Sequence, residues 1–244
     1  MKKFLLIAIL AFPVIGLVSW VVWGTKQRVP VKKPVEVQVE KTVKDRLQQY
    51  GPEARARLKP YFEAKQVAYP PVRLTLVGLK EEKTLELYAG GSNQKLEFIR
   101  AYPILAASGV AGPKLRQGDK QVPEGIYPVE WLNPNSSYHL SFRIGYPNEF
   151  DREHAQSESR TNLGGDIMIH GDTKSVGCLA MGDPASEDLF VLAADTGITN
   201  ITIILSPVDF RKGKTVEITE KLPKWTPGLY ETIKAKLNEL PVNN

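Results

Sequence analysis

Between Pro70 and Ser206 the chain changes to a period of two, and this constrains its fold more than any other feature. Seven short segments, VRLTLVGL (72–79), TLELYA (84–89), FIRAYPILAAS (98–108), GIYPVEWL (125–132), YHLSFRI (138–144), DIMIH (166–170) and NITIILS (200–206), are rich in Val, Ile, Leu and aromatic residues. Each is bounded by Gly, Pro, Asn or Asp, so each reads as a strand. The pattern predicts a mainly β sandwich or barrel with a few helices. Only SEDLFVLAAD (186–195) reads as a helix inside this region, with Leu189, Val191, Leu192 and Ala193 on its apolar side. In YHLSFRI, alternation puts Tyr138, Leu140 and Phe142 on one face and His139, Ser141 and Arg143 on the other.

Four regions are expected. Residues 4–24, FLLIAILAFPVIGLVSWVVWG, carry no charge. As a helix they would span about 31 Å, enough for a bilayer core. Trp20 and Trp23 stand where an interfacial belt is expected, so residues 1–24 read as an uncleaved signal-anchor, tolerant of Pro13. Residues 25–69 read as a linker and helical segment. TKQRVPVKKPVEVQVE is extended, and Val43, Leu47, Tyr50, Ala54, Leu58 and Tyr61 then recur at helical spacing. Gly51-Pro52 is expected to divide that stretch into two helices, and Pro60 to kink or restart the second. Residues 70–208 form the β-rich domain. Residues 209–244 are a C-terminal extension with a short helix near 228–239.

The formal net charge of +5 and pI of about 9.1 suit an anionic surface such as a wall polymer or lipid headgroups. No nucleic-acid module is present, so nucleic acid is not an expected partner. The chain has one cysteine, Cys178. That excludes an intramolecular disulfide and a thiolate-based zinc site.

Cys178 lies in HGDTKSVGC, eight positions after one of three histidines, His170. His170 ends a candidate strand, and Cys178 follows a tight loop. An imidazole that takes the thiol proton creates the nucleophile and can return the proton to a leaving amine. Gly171 and Gly177 allow backbone N–H groups to approach a substrate carbonyl as an oxyanion hole. Ser175 can fix the loop by a hydrogen bond. The alternative is a buried thiol beside an unrelated histidine. On the second strand face, Arg143 can pair a carboxylate and His139 can line the same cleft, although a solvated strand face would look alike. Asp166 and Asp172 flank the histidine and can tune it or serve only as turn residues. His154 reads as a solvated loop residue, and Trp131 and Trp225 as packing residues.

HGDTKSVGCLAM resembles the signature of the L,D-transpeptidase catalytic domain, the YkuD-type family, in which an HG histidine precedes S-H-G-C. GDKQVPEGIYPV (118–129) is similar to that family's G-D-x-x-T-P-x-G-x-[FY] stretch. NPNSSYHLSFRIGYPNEFDREH followed by GGDIMIHG is close to its YafK-like branch. The resemblance covers residues 70–208. It implies a β-rich fold, Cys178 as nucleophile, His170 as catalytic histidine, Ser175 and Gly177 as signature positions, and no metal or other cofactor. It also implies action on peptidoglycan stem peptides outside the cytoplasm, with the domain periplasmic and anchored to the inner membrane. Val176 replaces the signature's second histidine, the spacer is short, and Leu179, Ala180 and Met181 stand where an Arg or Asn is common. These departures suit a branch that includes a murein amidase acting on a wall-linked lipoprotein. Transpeptidation, amidase or endopeptidase hydrolysis, and a non-catalytic tethered wall-binding module therefore all stay open.

Overall fold

The computed structural model describes residues 40–242. The expected signal-anchor and most of the linker lie outside them. No helix among the described residues is long and apolar enough to cross a membrane.

Helix α1 (Val43–Ala64) opens on a capping box, in which Thr42 accepts from the Asp45 N–H and the Asp45 carboxylate accepts from the Thr42 N–H. It is one helix, not two, with Pro52 and Pro60 inside it. An interior proline removes a donor and opposes the helix, so burial of one face along both halves must offset it here. Here Gly51, Ala54, Leu58 and Phe62 form that face. The core thus takes Phe62, whereas Tyr61 is exposed.

The seven expected strands are all present. They are β1 (Arg73–Leu79), β2 (Thr84–Gly90), β3 (Glu97–Pro103), β4 (Gly125–Asn133), β5 (Ser141–Ile144), β6 (Met168–His170) and, last in the chain, β8 (Ile201–Ser206). An eighth, the two-residue β7 (Leu179–Ala180), lies between β6 and β8 and was too short to carry a periodic signal. They form one sheet in the order β3-β2-β1-β8-β4-β5-β6-β7, and Ala180 of β7 bridges Ala106 just beyond β3, so the sheet curls into a half-barrel rather than a sandwich. Neighbours are antiparallel except β1 with β8 and β6 with β7.

Helix α2 (Glu149–Ser157) follows β5, α3 (Asp183–Thr196) follows β7, and α4 (Thr226–Asn238) follows β8. Helix α2 corrects the expectation of a loop around His154. Its start is written as Asn148 with Asp151 three residues later, a reciprocal cap. His154 is not simply solvated but stacks on Trp225, with ring centroids 4.6 Å apart. Trp225 is the packing residue expected and also bonds Glu158 at 2.8 Å.

The central strands are buried on both faces. Leu74, Leu76, Ile203 and Leu205 join Leu58, Phe62, Leu189 and Leu192 in the main core. Val77, Leu79 and Ile204 face Leu229, Ile233 and Leu237 of α4. Ion pairs lock α1 onto α3, with Arg55 bidentate on Asp195 at 2.8 and 2.7 Å and Arg57 on Asp188 and Glu187 at 2.7 and 2.8 Å.

Candidate active site

The β6–β7 pair builds the site. Ile169 pairs with Leu179 and His170 with Ala180, in parallel. Ile169 and Leu179 belong to the main core, so alternation turns His170 to the other face. Continued back by one step, the register sets Cys178 beside Met168, whose N–H donates to the Cys178 sulfur at 3.4 Å. His170 and Cys178 therefore lie on one face, two residues apart in register.

The loop between them is held from several directions. The Cys178 N–H donates to Ser175 Oγ at 3.1 Å, and the Gly177 N–H donates to Ser108 Oγ at 2.7 Å. The Asp172 N–H donates to Asp183 Oδ1 at 2.8 Å. Gly177 has φ +82°, although a Cβ there would meet nothing closer than 3.7 Å. Gly171 is needed for space, since its Cβ would lie 2.7 Å from Asp183 Oδ1 and 2.8 Å from His139 Cβ. The two N–H groups expected to form an oxyanion hole both donate to hydroxyls in this structure.

His170 is 2% exposed. Its Nδ1 lies 2.6 Å from the Gly171 carbonyl oxygen, which can only accept. Nδ1 thus carries the proton, and the neutral ring keeps its Nε2 lone pair as a base. Burial pushes the imidazole below its ordinary value of 6.5, partly opposed by the Gly171 bond and Asp172. Burial pushes the half-buried Cys178 thiol above its ordinary value of 9.0, opposed by the Met168 N–H. Both shifts favour a neutral thiol beside a neutral imidazole. Among the described residues no hydrogen bond joins them, and the thiol points to the Asp166 carbonyl at 3.6 Å. Catalytic hydrogen bonds are commonly long before substrate binds.

The flanking strand is only half as expected. β5 starts at Ser141, so His139 lies before it at φ +69°, not on its face. The His139 Nε2 is 3.0 Å from Glu187 Oε1, and its ring meets Tyr50 edge-on at 4.9 Å. Tyr138 is not on the core face either. It is 49% exposed, and its ring lies 4.9 Å from that of His170. Both residues line an open hollow of about 650 Å³ with Asp172, Thr173, Gly182 and Asp183. Arg143 does share the Met168 side, being paired with it across β5–β6. Its Nε lies 3.3 Å from Glu130 Oε2 and 3.6 Å from Asp166 Oδ1.

Sequence reasoning missed Ser108, because a hydroxyl 69 positions away from its partner leaves no local trace. It also read Trp131 as a packing residue. A register shift between Val129 and Trp131 sets Trp131 opposite Arg143, where it is 39% exposed. A bulge of this kind reverses the facing of everything beyond it. No cluster of three or more His, Cys, Asp and Glu side chains suited to a metal occurs among the described residues.

The site thus presents a half-buried thiol and a buried imidazole whose Nδ1–H is held by the Gly171 carbonyl. The chain belongs to the YkuD family, the L,D-transpeptidase catalytic domain, a family of enzymes whose model matches residues 73–218. It is 42% identical over 113 residues to the L,D-transpeptidase-type protein YafK of Escherichia coli (strain K12), across 46% of this chain and 43% of that protein. It thus spans less than half the length of this curated relative. Among solved structures, the helical cell shape determining protein Pgp2 of Campylobacter jejuni is similar at 21% identity and a TM-score of 0.45, covering 60% of this chain and 50% of that one. Bd1075 of Bdellovibrio bacteriovorus is similar at 20% identity and a TM-score of 0.40, covering 68% and 54%.

Proposed function

We propose that the protein is a cysteine-dependent acyl transferase acting on peptidoglycan stem peptides through a thioester on Cys178. The observation that carries this reading is the shared face of Cys178 and a neutral His170 whose Nδ1–H is fixed on Gly171, within a chain of this family. Cys178 attacks a stem-peptide carbonyl while His170 Nε2 takes the thiol proton. The same nitrogen then protonates the departing amine. The oxyanion is received by N–H groups near Gly177 and Cys178, which leave their Ser108 and Ser175 hydroxyls as it forms. Arg143, exposed Trp131 and Tyr138 flank the peptide, with Arg143 released from its carboxylates to meet one on the substrate. His139 acts from the wall of the adjoining hollow.

The acyl acceptor is an amine in transpeptidation and water in hydrolysis. The second reading is therefore a murein amidase or L,D-endopeptidase that releases a wall-linked lipoprotein or peptide. It is favoured by Val176, which is 69% exposed where the family signature has a histidine. The domain works in the periplasm, with residues 4–24 as its inner-membrane anchor.

Purified protein is incubated with peptidoglycan fragments, with and without a competing amine. New amine-capped products identify a transferase, and water-cleaved products that ignore the amine identify a hydrolase. Unchanged turnover by Cys178→Ala would rule out the thioester, and wall binding without turnover by wild type would leave only a wall-binding module.

A further inference from the structure

His170 has a neighbour that the reaction above does not use. Backbone bonds from the Gly171 N–H to Leu140 O (3.1 Å) and from the Ile144 N–H to Ile167 O (2.8 Å) fix the ladder phase between β5 and β6. They make Ser141 and His170, which are directly opposed, a non-hydrogen-bonded pair. In such pairs the Cα atoms are about 4.5 Å apart and the side chains are at their closest. Ser141 is 2% exposed, and its Oγ has no hydrogen-bond partner. A buried hydroxyl without a partner is destabilising, and alanine would fill the site at less cost. The imidazole thus stands between Cys178 on one side and an uncommitted hydroxyl on the other.

We propose that Ser141 is a positioning residue for His170: its hydroxyl turns its oxygen to the ring and, by charge–dipole attraction rather than a hydrogen bond to either ring N–H, supports the imidazolium formed when Cys178 gives up its proton. In that step the S–H bond breaks, the Nε2–H bond forms, and the charges are thiolate and imidazolium. Ser141 keeps its own proton throughout. This rests on the function proposed above only in assigning the proton acceptor. The other groups facing His170 are Tyr138 before β5, Arg143 on β5, Asp172 after β6, Asp183 at the start of α3 and Cys178 itself. Tyr138 is 49% exposed to solvent, whereas Ser141 sets a buried hydroxyl directly opposite His170.

The test is the rate of Cys178 alkylation by iodoacetamide against pH, in the full chain, for wild type, Ser141→Ala and Ser141→Thr. Iodoacetamide reads thiolate directly and needs no substrate. Below the thiol's own titration, Ser141→Ala should react about tenfold more slowly, the equivalent of one pKa unit lost by the imidazolium. Above that titration the two rates should coincide. Ser141→Thr, which keeps the hydroxyl, should restore the wild-type profile. Thermal unfolding should show Ser141→Ala as stable as wild type or more so, a result that a structural role for the hydroxyl would not give. A Ser141→Ala profile superimposed on wild type, or a marked loss of stability in that variant, overturns the proposal. Because no peptidoglycan is involved, its failure is distinct from retained turnover in Cys178→Ala, which would overturn the functional reading instead.

Discussion

Burial acts on Cys178 and His170 in opposite directions, and this determines their pH behaviour. The imidazole must be unprotonated to accept the thiol proton, so the rate falls when pH drops through the His170 pKa. Desolvation holds that pKa below 6.5. The thiol must carry the proton that is later returned to the leaving amine, so the rate falls again when pH rises through the Cys178 pKa, which desolvation holds above 9.0. The pH profile of kcat/KM should therefore be a bell broader than free imidazole and thiol would give, with both limbs displaced outward. Limbs at or inside the ordinary values would contradict this. Stability follows the same sign on the acid side. The unfolded chain binds a proton at His170 more readily than the folded one, so His170's contribution falls as pH drops below 6.5. The two loop glycines should separate experimentally. Gly177→Ala meets no atom within 3.5 Å and only strains a positive φ, at about 1–2 kcal/mol. Gly171→Ala collides with His139 and Asp183 and should cost more stability as well as displacing the carbonyl that orients His170. Thermal denaturation and turnover of both variants check this.

At the scale of elements, the helix α1 is the clearest case of what a sequence shows and hides. Its apolar spacing is plain, but two prolines read as breaks. What continues the helix is tertiary, namely burial of Gly51 and Ala54 and the Arg55–Asp195 and Arg57–Asp188 pairs with α3. The inward face is settled the same way. Phe62→Ala should cost about 3–5 kcal/mol as a core deletion, and Tyr61→Ala, on the exposed side against Arg100, about 1 kcal/mol or less. Urea denaturation distinguishes them, and equal costs would contradict the observed phase. The strands were legible from their Val, Ile, Leu and aromatic content and their Gly, Pro, Asn or Asp borders, although the central ones are buried on both faces rather than alternately. β7 was not, because two residues carry no period. His139 and Tyr138 were misplaced because alternation was extended through a backbone turn at φ +69°. The candidate pair stood out because cysteine and histidine are rare here and HG and S-x-G-C elements lie close together, although their spacer is shorter than in the signature they resemble. Ser108 and the bulge before Trp131 were not, because long-range contacts and register shifts leave no mark in local sequence.

For the whole molecule, the C-terminal segment is part of the fold. Helix α4 covers Val77, Leu79, Tyr88 and Ile204 on the second face of the central strands. A chain ending before Thr226 should lose cooperative unfolding and aggregate, because it exposes a contiguous apolar surface. A truncated chain that melts like the full one would show that face to be dispensable. The central claim concerns the molecule at work, that one sulfur carries the acyl group between donor and acceptor. Intact-mass spectrometry of the protein mixed with a peptidoglycan tetrapeptide fragment and quenched in acid tests it most directly. Wild type should gain the mass of the acyl portion at Cys178, His170→Ala should acquire it slowly, and Cys178→Ala should never acquire it and should lose turnover by about 10⁴-fold or more. Turnover by Cys178→Ala at the wild-type rate, with no adduct on any variant, would contradict the account.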